Sequence, residues 1–294
     1  MPFLRERSGR WSPEKIIAFA GACLPALWLA WRVWTNDLNP ARPVNEAIHF
    51  VGYWAILFVV MSLAVSPARR LFNAPKLINA RRTLGVTAFC YAALHLTLYI
   101  VDQKYDLAKV ASEIALRIYL TIGFVALIGL TALAITSTDA MVRRLGPRWN
   151  TLHSVIYPIA ILGIIHFMMQ TKVDITEAVM VGGFLLWLLG YRLLRRYVAE
   201  ATYLWQIALT LVAASLTAIA EAAWYGATTG VAAWRVFSVN FDWGLAPRPA
   251  HWVLIAGFGV TLASFLWSLR SQRPNARKAS ARAPSGAVQV QSGS

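Results

Sequence analysis

The sequence predicts an all-α fold, a polytopic bundle of membrane-spanning helices, and three observations predict it. Of 294 residues, 58% are hydrophobic and 14% charged, with a mean hydropathy of +0.53, more apolar surface than one soluble core of this length can enclose. The apolar residues gather in eight runs, at 16–34, 48–65, 84–101, 118–136, 151–169, 176–193, 203–223 and 251–269, each near the ~20 residues a spanning helix needs. Lysine and arginine then alternate between the connecting segments, dense in every second one, as topology requires.

Taken in order, residues 1–15 carry Arg5, Arg7, Arg10 and Lys15, which predicts a cytoplasmic N-terminus. The first run ends in the bulky WLAWRVW, with no small-residue cleavage site, so it reads as a retained helix rather than a leader. Arg69, Arg70, Lys76, Arg81 and Arg82 follow the second run, Arg143, Arg144 and Arg148 the fourth, and Arg192, Arg195 and Arg196 the sixth. With the basic residues after the eighth run, these place both termini in the cytoplasm. The tail, 271–294, is polar and rich in Ser and Pro, a composition that predicts disorder. Topology accounts for the net charge of +15, and no nucleic-acid partner is implied.

Cys23 and Cys90 lie inside apolar runs outside any C-x-x-C or C-x-x-C-H context, which excludes a disulfide framework, a zinc knuckle and covalent haem. Both read as small buried hydrophobes. No G-x-G-x-x-G or G-x-x-x-x-G-K occurs, and no segment is long and mixed enough to fold as a soluble nucleotide-binding domain. An electron donor would therefore be a separate molecule.

The histidines carry the functional argument, because an ionisable group at membrane depth is costly and serves ligation, proton movement or an ion path. His95 and His166 fall at matching depth on two outward-running spans, past the midplane, with His153 ~20 Å below His166 along the same span. On an ideal helix His153 and His166 point about 140° apart, and Pro158 between them predicts a kink that changes this angle. His49 and His251 open their spans on the outer side, where they read as interfacial. Imidazole can ligate haem iron or relay protons. A proton-coupled transporter would add an intramembrane carboxylate, and Glu177 and Glu221 lie near span ends, so haem is the better reading.

The motifs TSTDAMVRRLGPRWNTLHSVIYPIAILGIIHF (136–167), HFVGYWA (49–55), RRTLG (81–85) and YAALHLTLY (91–99) resemble, in order and spacing, the MsrQ (YedZ) family within the ferric reductase-like transmembrane superfamily. The resemblance covers roughly 15–197. It implies a six-helix haem-binding core over 16–197, followed by a two-helix extension at 198–270 that it does not inform. It further implies haem b, one or two per chain, and FMN, with His95, His153 and His166 as axial haem-iron ligands. Electrons would come from the quinone pool or a cytoplasmic flavin reductase. They would pass across the bacterial inner membrane to MsrP, a periplasmic molybdopterin enzyme that reduces methionine sulfoxide in oxidised proteins; the chain itself would be a non-catalytic electron-transfer subunit. Arg81, Arg82 and Arg148 match the family's basic motifs and stand as candidate contacts for propionates, a quinone or a flavin phosphate, with topology as their other reading. The chain departs from the family at Ile118, where R-I-Y replaces R-P-Y, and in the extension, whose loop WRVFSVNFDWGLAPRP (234–249) reads as interfacial. A ferric or cupric reductase, or a haem-free proton-coupled transporter, are the rival functions.

Overall fold

The computed structural model describes residues 11–171, 174–198, 202–244 and 246–280, the last ten of these by backbone alone. Twelve α-helices stand among them: Pro13–Trp34 (α1), Pro43–Leu71 (α2), Ile78–Asp102 (α3), Leu107–Leu116 (α4), Ile118–Ile135 (α5), Asp139–Leu145 (α6), Arg148–His153 (α7), Ile156–Thr171 (α8), Thr176–Tyr197 (α9), Tyr203–Thr229 (α10), Ala233–Val239 (α11) and Pro249–Ser280 (α12). Eight spans are long and apolar enough to cross a membrane, with α7 and α8 together forming one. The predicted all-α polytopic class is thus the fold observed.

Local chemistry sets the helix ends. Pro13 and Pro43 open α1 and α2, where a missing N–H costs nothing. The Asp106 carboxylate accepts from the Lys109 amide to start α4, and the Thr138 hydroxyl accepts from the Met141 amide to start α6. Gly230 closes α10 in the left-handed region at φ +70°, a conformation that costs glycine little. Pro158 acts where the sequence places it. Lacking an N–H, it leaves the Ser154 carbonyl without its usual partner, and the chain turns at Ser154 and Val155, separating α7 from α8.

The core centres on α2, whose Val51, Phe58, Val59 and Leu63 are buried against Ala88 and Tyr91 of α3, Ala160 of α8 and Val181 of α9. The Tyr91 hydroxyl donates to the Ala22 carbonyl at 2.7 Å, which ties α1 to the bundle. Arg32, near the end of α1, pairs with Glu46 of α2 at 2.7 Å and with Asp37 at 3.2 Å. Large apolar side chains cover the outside, Leu24, Leu27, Trp28 and Trp31 of α1 among them, a surface suited to lipid.

Helices α10 and α12 pack on each other and on α9, so the two-helix extension is built into the bundle. Small residues permit the approach, since a Cβ at Gly183 of α9 would overlap Thr217 of α10 and Val253 of α12. Trp187 Nε1 donates to Thr210 Oγ1 at 3.0 Å across the same seam.

Two expectations change. Cys90 is exposed and Cys23 half-buried, so neither is the enclosed hydrophobe expected. Glu221 is not at a helix end, because α10 continues to Thr229, and its side chain is fully enclosed. Of the tail, 271–280 is described as helical backbone, and 281–294 lies outside the described residues, as does 1–10.

Candidate functional site

His95 lies seven residues from the end of α3 and His166 five from the end of α8, about 10 and 8 Å at 1.5 Å per residue. The two helices bring their rings together, with centroids 6.2 Å apart and planes at 88°. Both rings line one largely apolar cavity with His49, Tyr53, Tyr119 and Gln170, the rest being residues such as Ile56, Val59, Leu127 and Leu130.

Each ring is fixed the same way. His95 Nδ1 lies 2.9 Å from the Ile48 carbonyl of α2, and His166 Nδ1 lies 2.7 Å from the Tyr119 carbonyl of α5. A carbonyl only accepts, so each Nδ1 carries the proton and each Nε2 keeps its lone pair. One helical turn beyond each carbonyl stands a glycine. A Cβ at Gly52 would come within 2.8 Å of His95 Nδ1, and one at Gly123 within 2.7 Å of His166 Nδ1. The two seats are one construction used twice: carbonyl and histidine are 47 residues apart in both. Ile48, Gly52 and His95 recur 71 residues later as Tyr119, Gly123 and His166.

This arrangement would let His95 and His166 hold one metal ion between them. With metal–imidazole bonds of about 2.0–2.1 Å and Nε2 about 1.1 Å from the ring centre, two imidazoles sharing one ion hold their centroids about 6 Å apart. A carbonyl that accepts from Nδ1 is a common means of fixing such a ligand. The largely apolar walls suit a macrocycle.

His153 lies elsewhere. It ends α7, stacks on Trp149 at 3.8 Å and shares a hydrogen bond of 3.1 Å between its Nε2 and Thr136 Oγ1, while Trp149 Nε1 donates to the Thr136 carbonyl at 2.9 Å. No second imidazole stacks with it among the described residues. Arg81, Arg82 and Arg148 do not line the cavity of the histidine pair. Arg82 pairs with Asp139 of α6 at 2.6 Å, and Arg148 is exposed at the start of α7.

Sequence reasoning missed the glycine seats, and it left His49 at the interface although His49 lines the cavity. The repeated offset between carbonyl, glycine and histidine was the signal available. It also missed α4, between α3 and α5 at the end of the bundle that holds the histidine pair, where the Tyr99 hydroxyl donates to Glu113 and Thr121 Oγ1 donates to the Ile114 carbonyl.

A second polar cluster joins the extension to its loop. Glu221 of α10 accepts from Arg248 and from Asn240, and His251 Nδ1 accepts from the Arg248 amide at 2.9 Å. Asp174, in the turn before α9, is held below the usual carboxylate range by hydrogen bonds from Thr176 and adds negative charge near Arg248.

Residues 51–164 match the family model described as the ferric reductase like transmembrane component. The protein-methionine-sulfoxide reductase heme-binding subunit MsrQ of Rhodospirillum rubrum is 40% identical over 191 residues, covering 64% of this chain and 89% of that relative. Proteins of the same description from Xanthomonas campestris pv. campestris and Xanthomonas euvesicatoria pv. vesicatoria are 42% and 39% identical over 194 residues, again covering 64% of this chain and 89% of each relative. No solved structure matches.

Proposed function

The chain belongs to the MsrQ family of heme-binding subunits of protein-methionine-sulfoxide reductases, and from that premise we propose that it is the membrane electron-transfer subunit of such a system. In this reading it sits in the bacterial inner membrane, accepts electrons from the quinone pool or a cytoplasmic flavin reductase, and delivers them to the periplasmic molybdopterin enzyme MsrP for repair of oxidised methionines. The observation that carries the reading is the pair of imidazoles 6.2 Å apart, each locked by Nδ1 to a backbone carbonyl.

His95 and His166 would hold haem b through Nε2, and the group would supply a reversible one-electron couple at its iron. The chain does the rest. The Ile48 and Tyr119 carbonyls orient the rings and raise the basicity of Nε2. Gly52 and Gly123 let the rings sit flat against α2 and α5. The leucine and isoleucine walls keep water out, which lowers the local dielectric and sets the potential. His153, with Trp149 and the arginines Arg81, Arg82 and Arg148, would serve the inner side, as a second haem ligand or in binding FMN or the electron donor.

The test is haem content and optical spectrum of His95→Ala and His166→Ala proteins purified at wild-type yield. Loss of haem and of the low-spin spectrum supports the assignment; retention of both contradicts it.

The family model favours one alternative, a ferric or other metal reductase acting at the outer face. Reoxidation of the dithionite-reduced protein separates the two. Rapid reoxidation by MsrP and slow reoxidation by ferric citrate supports the first function, and the reverse order supports the second.

A further inference from the structure

At the end of the bundle opposite the histidine pair, the last turns of α2 and α9 and the first turn of α8 line an open pocket of about 430 Å³. Arg70, Tyr157, Tyr191, Arg192, Arg195 and Arg196 line it, so it carries four guanidinium groups and no carboxylate. Among the described residues Arg70, Arg192 and Arg196 make no ion pair.

Topology explains why arginines gather at this end, but not why they converge. An arginine that only marks topology extends its head toward water. Arg192 turns inward instead: its Nη2 donates to the Leu63 carbonyl of α2 at 2.7 Å, and its guanidinium lies 5.3 Å from the Tyr157 ring centre. Its Nη1 is buried and has no hydrogen-bond partner. The charges of Arg70 and Arg81 bear on it as well. The C-terminal dipoles of α2 and α9 offset only a small part of each charge, and like charges in one pocket repel. A multivalent oxyanion would satisfy the orphaned donor, neutralise the cluster and accept the paired N–H groups that arginine presents.

We propose that this pocket binds a phosphate group, carried by an anionic phospholipid or by a soluble phosphate ester, with Arg192 as its deepest donor and Arg70, Arg195 and Arg196 around it. The ligand would fasten α2, α8 and α9 together, and binding to the folded state alone stabilises that state.

The full-length protein, stripped of lipid in neutral detergent, is offered dioleoylphosphatidylglycerol, dioleoylphosphatidylcholine or inorganic phosphate, with retention read by native mass spectrometry and stability by thermal unfolding. Retention of phosphatidylglycerol over phosphatidylcholine identifies the lipid as source. A rise in unfolding temperature with inorganic phosphate, in the absence of lipid, identifies the soluble ester. Arg192→Gln removes either response. The double variant Arg70→Gln/Arg196→Gln changes exposed side chains at the rim, keeps its haem content, and weakens binding about tenfold or more. Equal retention of the two lipids with no response to phosphate overturns the proposal, as does wild-type binding by the double variant.

Discussion

Three histidines in this protein are held by the backbone, and two of them are held in the opposite sense to the third. His95 and His166 present Nδ1 to carbonyls, whereas His251 of the extension presents Nδ1 to the Arg248 amide. An amide N–H only donates, so His251 must carry its proton on Nε2, and that Nε2 is buried without a partner. The first two rings are built to offer a lone pair, and the third to accept a hydrogen bond within a structural cluster. Imidazole placement in an apolar helix therefore says little until it is known whether the group facing Nδ1 donates or accepts.

The largest effect that would break this comparison is at the pair itself. His95→Ala or His166→Ala is expected to reduce haem content to about a tenth of wild type or less, while His251→Ala retains it; pyridine haemochrome assay of equal protein amounts decides. Next come the seats. Gly52→Val and Gly123→Val press a side chain into the ring and should weaken haem retention about 10–100-fold, with both spectra changing alike because the two seats are alike. Competition with apomyoglobin measures this.

Effects in the extension should fall on stability and leave the spectrum alone. Arg248→Ala leaves the fully buried Glu221 without its cation and should cost about 3–5 kcal/mol. Glu221→Gln keeps one acceptor oxygen, turns its amide NH2 toward the other donor and leaves a partly exposed Arg248, so it should cost less, about 1–2 kcal/mol. Thermal unfolding of the two variants, with the Soret band followed in parallel, tests the order. The smallest effect on haem is expected at His153, whose Nε2 meets a hydroxyl rather than a free cavity. His153→Ala should keep the haem held by His95 and His166 while slowing reduction by the donor, seen in stopped-flow traces.

Much of this was legible in the chain. The eight spans follow from apolar run length, since a bilayer imposes both length and polarity. The depth match of His95 and His166 follows from counting residues at fixed rise. Pro158 announced the break between α7 and α8. What was not legible depends on partners far along the sequence: no local pattern shows that Gly52 lies under His95, or that Ile48 rather than a side chain receives its proton. The short helices α4, α6 and α11 fell below the length at which hydropathy speaks. Glu221 was placed at a span end because alanine, tryptophan and tyrosine after it blur the boundary, and its partner Arg248 comes from the next loop.

The central claim is that two imidazoles with perpendicular planes share one iron, and electron paramagnetic resonance of the oxidised protein tests it most directly. Ring planes at 88° predict a strongly anisotropic low-spin ferric signal, absent from His95→Ala and His166→Ala and present in His153→Ala. A high-spin signal, a rhombic low-spin signal of the kind parallel rings give, or a spectrum indifferent to His95 and His166 would contradict it.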